Sequence, residues 1–335
     1  MRRATAAVCL ATACQMAFTH AARAEVSEVN LAMQNGIAYM PLMAMQQLKF
    51  IEKQAAQRGL GDLKVNWTRL AGPAVIVDAV LAGKIDFAAQ GPPSLILLWD
   101  KTKGTIGVRG VGAMCTAQIY LNTRNPNVKT LRDFTDKDRI AVPSVKISSQ
   151  AILLQIAAEK EFGPGNHAKL DHLTVSLAHP DALAAVLNPV GEMTSHMATT
   201  PFHETEIKAG LRTITSAFQI MDGPVTTLTF ASTEKFSKDN PKVFEAVAAA
   251  YDETLAWLNA DKRRAAKMYI EVAQERKTTE DEIFEQMSAE GFEYTNIPRK
   301  FSKLAEFMYK TGLIKTEPNS WQDMYFPAAQ KLAGD

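Results

Sequence analysis

Residues 63–99 read LKVNWTRLAGPAVIVDAVLAGKIDFAAQGPPSLILLW, and their order decides the fold class. Leu63 to Leu70 alternates polar and apolar residues as a strand does. Ala71-Gly72-Pro73 is a turn, and Pro73 opens a helix through Val77, Val80 and Leu81 that Gly83 ends. Ile85 to Ala89 is a second strand, and Gln90-Gly91-Pro92-Pro93 turns into a helix over Ser94 to Trp99. Strand, Gly/Pro turn, helix and strand in succession predict a parallel α/β sheet.

The same grammar extends both ways. Upstream, Val29 to Met33 reads as a strand, Gln34-Asn35-Gly36 breaks it, and Pro41 opens one helix running to Arg58. Downstream, Thr105–Cys115 and Ala117–Leu121 are strand-like. The register then restarts with strands at Arg139–Val142, Leu173–Leu177, Glu192–Ala198 and Leu211–Ile214, and helices over Gln150–Phe162 and Ala182–Leu187. Val225–Ala231 is β-branched and strand-like, and the chain beyond it reads helical, ending in an aromatic-rich tail from Trp321 to Pro327. No linker separates the two α/β units, and the joins near 116–122 and 222–226 both read as extended chain. The expected organisation is a first lobe of residues 25–115 plus 225–335 and a second lobe of residues 116–224. Two such crossovers let lobes close as a hinge.

Residues 1–24 read separately. Arg2-Arg3, the small and apolar run Ala4–Phe18 and Ala22-Arg23-Ala24 predict a signal peptide cut after Ala24, hence a periplasmic mature protein. Cys14 raises the question of a lipid anchor, but Ala11-Thr12-Ala13 lacks the leucine expected before it. Removing three arginines with this segment leaves 34 basic against 36 acidic residues, so bulk charge makes no case for nucleic acid. Cys115 is then the one remaining cysteine and reads as a small core residue.

Four stretches resemble the periplasmic solute-binding proteins of nitrate, taurine and alkanesulfonate ABC importers. They are Asn35–Leu42, Val77–Ala88 (similar to the family's ALxxGxxD step), Thr130–Phe134 before the Arg139 strand, and the aromatic helical tail. The resemblance implies the type II periplasmic binding protein fold, with two lobes joined by two crossovers and a helical C-terminal tail. It also implies an ABC transporter permease as partner, a monomeric binding protein, and no catalysis. At the second-lobe helix start, Pro143–Ser149 lacks the family's usual glycine and keeps a serine pair.

Ligands of open α/β sheets sit outside the carboxyl ends of strands, where helix N-termini offer free N–H groups. The turns placed there nominate Asn35, Tyr39, Gly72, Gln90, Gly91, Pro92, Ser148, Ser149, Thr200 and Phe202 as ligand-binding residues. Each has a plainer reading: Ser148–Ser149 as a helix cap, the Gly-Pro pairs as turns, Tyr39 and Phe202 as packing. Arg69 and Lys146 read as surface residues. A small organic anion, sulfonate or carboxylate and aromatic ones included, fits such a cleft without cofactor or metal. The five histidines after residue 24 are scattered without metal-site spacing, and no nucleophile elbow appears. The alternatives are a cytoplasmic-type enzyme of the same fold acting on a small acid, and a periplasmic ligand sensor.

Overall fold

A computed structural model of the chain describes residues 25–274 and 278–335; the expected signal peptide lies outside the described residues. Five strands make the first sheet: β1 (Glu28–Met33), β2 (Lys64–Arg69), β3 (Phe87–Gln90), β4 (Val108–Thr116) and β10 (Thr226–Thr233), in the order β2-β1-β3-β10-β4. The second holds β5 (Ile119–Thr123), β6 (Ile140–Val142), β7 (Thr174–Ser176), β8 (Ser195–Thr199) and β9 (Arg212–Ser216), in the order β7-β6-β8-β5-β9. The chain passes between the sheets twice, directly at 117–118 and through one short helix at 217–225.

The expectation of parallel sheets needs correction, because both are mixed. β1 is parallel to β2 and β3, but β10 is antiparallel to β3 and β4. β6 is parallel to β7 and β8, while β5 is antiparallel to β8 and β9. A parallel neighbour needs a long crossover, and helices supply it within each unit. β5 and β10 each enter their sheet from the other one, without a helix of their own sheet before them, and they run the opposite way.

Helices α1 (Met40–Gln47) and α2 (Phe50–Gln57) replace the one helix expected from Pro41 to Arg58. Lys49 takes a left-handed φ of 53° between them and redirects the chain. The expected helices at Pro73, Ser94, Gln150 and Ala182 are α3 (Pro73–Leu81), α4 (Pro92–Thr102), α5 (Ser149–Phe162) and α6 (His179–Leu187). Three short helices carry no periodic signal in the sequence: α7 (Phe202–Lys208), α8 (Ala217–Met221) and α9 (Glu234–Asp239). They are one to two turns long, too short to display a 3.6-residue apolar repeat. The helical end of the chain is α10 (Pro241–Ala260), α11 (Lys262–Ala273), α12 (Glu280–Ser288) and α13 (Phe301–Lys310).

One apolar cluster covers the outer face of the first sheet. It buries Met40, Met43 and Met45 with Phe87, Phe230 and Tyr251, so the methionine group is packing, and Cys115 is buried in the same cluster. A second cluster runs from Ile76, Leu95 and Trp99 of α3 and α4 to Ile152 and Leu153 of α5, tying the two lobes together. The aromatic tail closes the first lobe: Tyr325 packs edge-on against Phe301 and Trp321, and Phe326 N–H donates to the Gly110 carbonyl at 2.9 Å.

Candidate ligand cleft

The carboxyl ends of β1, β3, β6 and β8 converge between the lobes, as the topology of open α/β sheets requires. They bound a small cavity of about 30 Å³. From the first lobe Gln34, Asn35, Tyr39 and Gly91 line it, together with Leu228 of β10. The second lobe contributes Pro143, Ser149, Gln150, His179 and Thr199.

The lobes are shut on this cavity. Ala74 N–H of α3 donates to Ser144 Oγ at 3.2 Å, and Ser94 Oγ of α4 donates to the Ile147 carbonyl at 3.3 Å. Two glycines permit the approach. A Cβ at Gly72 would lie 2.6 Å from the Pro143 carbonyl oxygen, and one at Gly91 would overlap Ser149 Oγ. Both glycines have extended backbone, so closeness and not conformation is what a side chain would violate.

Proline sets which helix ends retain donors. α4 carries Pro92 and Pro93 in its first two positions, so two N–H groups that would face an anion are missing. α5 has no such loss: Ser148 caps it by accepting from Ala151 N–H at 3.2 Å, and Ser149 and Gln150 keep their first-turn N–H groups. Beside them two polar side chains are buried without a partner. Gln90 is fully buried with both amide atoms unbonded, and the Ser149 hydroxyl is likewise unbonded. An unmet buried polar group costs about 1–3 kcal/mol, and of these two it is Ser149 that lines the cavity, so its hydroxyl is the group a ligand would satisfy.

Among the described residues, no charged side chain lines the cavity. Arg69 reaches its rim: Nη1 donates to Asn35 Oδ1 at 3.1 Å, which leaves the Asn35 amide nitrogen as a donor. Burial pushes the Tyr39 phenol well above its ordinary pKa, against a hydrogen bond from Gln34, so it stays a neutral hydroxyl.

Of the ten nominated residues, Asn35, Tyr39, Gly91 and Ser149 line the cavity. Gly72 sits at the lobe contact, and Gln90 lies buried at the end of β3. Pro92 begins α4. The structure uses Ser148 as a cap: its hydroxyl donates to the Ser144 carbonyl at 2.6 Å and is fully committed within the second lobe. Thr200 is also spent locally, on Glu204 Oε1 at 3.2 Å. Phe202 stacks on His179, ring centroids 5.2 Å apart, and stands near Gly36. Gln34, Gln150 and His179 also line the cavity and are not among the ten. His179 does carry a sequence signal, because His179-Pro180 follows a strand and opens a helix like the other turns.

Beside the cleft, His203 stacks on Tyr120 with centroids 3.6 Å apart and lies 3.0 Å from Asn122 Nδ2. Burial pushes its pKa down to about 4. A histidine depressed in the folded state is protonated first in the unfolded chain, so its contribution is present above the ordinary value near 6.5 and is lost as pH falls towards 4. After discounting for partial exposure, His203→Gln should flatten the fall in unfolding free energy between pH 6.5 and 4 by on the order of 1–2 kcal/mol, measured by urea titration across that range. An unchanged slope would show that this ring is not desolvated.

Residues 22–273, three quarters of the chain, match the model of the NMT1-like family. No curated protein sequence matches the chain. Among solved structures, the alkanesulfonate-binding protein SsuA from Xanthomonas axonopodis pv. citri bound to MOPS is 15% identical with a TM-score of 0.67, over 88% of this chain and 96% of that one. The periplasmic nitrate-binding protein NrtA from Synechocystis PCC 6803 is 16% identical with a TM-score of 0.68, over 92% of this chain and 86% of that one. The periplasmic aliphatic sulphonate binding protein SsuA from Escherichia coli is 16% identical with a TM-score of 0.62, over 89% and 99%. At these identities the likeness is one of fold, and it is the two-lobed fold of periplasmic binding proteins.

Proposed function

The chain belongs to the NMT1-like family, and from that premise we propose that it is the periplasmic solute-binding component of an ABC importer, taking a small organic anion between its lobes. One observation carries the reading: the Ser149 hydroxyl lies buried and unbonded at the free N-terminus of α5, lining a cleft that shuts. The acid group of a sulfonate or carboxylate meets that hydroxyl and the Ser149 and Gln150 N–H groups.

The charge should be single. A doubly charged anion would keep an uncompensated charge in a cleft lined by neutral groups, which is costly in a low-dielectric site. Tyr39, Leu228 and the Phe202–His179 stack offer apolar surface for an organic body, aromatic ones included. Such a body exceeds a cavity of about 30 Å³, so the lobes part to admit it and the pocket widens around it while the lobe contacts at Gly72 and Gly91 are kept. The lobes of the proposal are residues 25–115 with 225–335, and 116–224. The closed pair of lobes is the surface a membrane permease would read, with the chain acting as a monomer and a binding protein, not an enzyme.

The test is a thermal-shift series with MOPS, ethanesulfonate, benzoate and nitrate. A ligand at a hundred times its Kd adds about 2.7 kcal/mol. At about 2–4 °C per kcal/mol for domains of this size, the expected rise is about 5–10 °C for at least one organic acid. No rise with any of the organic acids, or a rise with nitrate alone, contradicts the reading.

A further inference from the structure

The second lobe buries a continuous chain of polar side chains that begins at the cleft. The Gln150 amide nitrogen lies 3.3 Å from His179 Nε2. His179 Nδ1 is 2.9 Å from His196 Nε2, and His196 Nδ1 is 2.5 Å from Glu206 Oε1. The other Glu206 oxygen accepts from Asn122 Nδ2 at 2.8 Å, and Asn122 Oδ1 accepts from Thr213 Oγ1 at 2.9 Å. Six elements meet here: Gln150 lies in α5, His179 starts α6, His196 lies in β8, Glu206 in α7, Asn122 in β5 and Thr213 in β9. His196 and Glu206 are fully buried, and His179 is exposed only at its cleft side, to 8%.

Charge decides where the protons sit. If Glu206 were ionised with both histidines neutral, the chain would hold an unbalanced negative charge out of reach of water. The effective penalty for that is several kcal/mol. His203 and Glu204, the other ionisable groups of α7 beside this chain, offer no balance, since burial pushes both towards their neutral forms. A net-neutral chain therefore holds one further proton, shared by Glu206 and His196 across their 2.5 Å contact. Wherever in that pair the proton lies, His196 Nε2 carries a hydrogen and donates to His179 Nδ1. His179 itself stays uncharged, its pKa held well below the ordinary value by burial and then by His196. A neutral ring that accepts at Nδ1 must carry its own hydrogen on Nε2. Without ligand, Gln150 with its amide turned so that Oε1 faces the ring accepts that hydrogen, and a ligand oxygen would take the place of Oε1.

We propose that the buried Glu206–His196 pair fixes His179 as a hydrogen-bond donor at the cleft, and that His179 Nε2–H reads an acceptor oxygen of the bound ligand. Phe202, stacked on the same ring, holds its plane. The assignment deepens the organic-anion reading and rests on it for the ligand, while the proton positions stand apart from any ligand. It makes His179 the side-chain counterpart of the α5 N–H groups, and it selects against a ligand that would present a donor there.

The first arm of the experiment is nitrogen-15 NMR of the full mature chain with labelled histidine, in which protonated and bare ring nitrogens resonate apart. The expected spectrum has His179 Nε2 protonated and Nδ1 bare; Nε2 bare and Nδ1 protonated overturns the proposal whether or not any acid binds. The second arm is calorimetric titration of MOPS into wild type, His179→Phe and His179→Gln. Loss of a hydrogen bond to a charged group predicts about tenfold to hundredfold weaker binding for His179→Phe, with partial recovery for His179→Gln. Equal affinity in His179→Phe and wild type overturns the donor role. If wild type does not bind MOPS, the organic acid that stabilises it in the thermal series takes its place. If none does, the function proposed above fails while the proton assignment is still read from the spectrum.

Discussion

Gly91→Ala is expected to weaken binding of an organic acid by about tenfold to a hundredfold while leaving the unliganded chain as stable as before or slightly more so. The new methyl group would overlap Ser149 Oγ across the cleft, so in the shut form that hydroxyl must rotate away from the position in which it meets the ligand. Forcing extra volume into a close-packed contact costs about 1–3 kcal/mol. Here that cost falls on the shut form, which binding requires, so it appears in the dissociation constant at about tenfold per 1.4 kcal/mol. The parted form has nothing to overlap. There alanine suits the extended backbone of Gly91, and replacing glycine stabilises by about 0.4–1 kcal/mol through the unfolded chain. Gly72→Ala should behave alike, since its methyl would meet the Pro143 carbonyl at 2.6 Å. Titration calorimetry and thermal melts of the same samples separate the two effects. Unaltered affinity in both variants would mean that the shut cleft is not the binding form.

Glu206→Ala is expected to cost about 3–5 kcal/mol of stability. The change strands His196 Nδ1, fully buried, and takes from the buried Asn122 amide one of its partners, and breaking a buried pair from one side leaves the other uncompensated. A melting-temperature drop of roughly 10 °C follows from about 2–4 °C per kcal/mol. Glu206→Gln keeps the shape and a hydrogen-bonding group for each neighbour, and should lose markedly less. A loss below about 1 kcal/mol for Glu206→Ala in chemical denaturation would show that these contacts are not a coupled network.

The legible parts of this fold are those where local chemistry and tertiary position agree. Gly72-Pro73, Gly91-Pro92 and Ser148-Ser149 each follow a strand and start a helix, so these turns point at the cleft from sequence alone. What stays hidden depends on partners distant in sequence. Asn122 and Glu206 are 84 positions apart, and no local pattern in β5 or α7 announces that they meet. His179 is within reach of the turn rule but lies scattered among other histidines, and only the contact with His196 behind it marks its role. The sheets read as parallel because the strands β1 to β3 and β6 to β8 are; β5 and β10 arrive from the opposite lobe, which is a property of the path and not of their residues. The left-handed Lys49 breaks a helix whose apolar pattern continues across it. The glycines at 72 and 91 read locally as turn or ligand residues, whereas their smallness serves the contact between lobes.

The claim that this chain shuts its two lobes on a small organic acid is tested most directly by an inter-lobe distance. Val75 in α3 and Val190 between α6 and β8 are both exposed, and Cys115 is fully buried with a thiol pKa raised by burial, so Val75→Cys and Val190→Cys accept spin labels selectively. The expected result is that pulsed electron-spin distances contract to a single short population on adding an organic acid that stabilises the protein, and stay long and broad with sulfate. A distance that no organic acid changes, or that contracts with sulfate or nitrate alone, contradicts the claim.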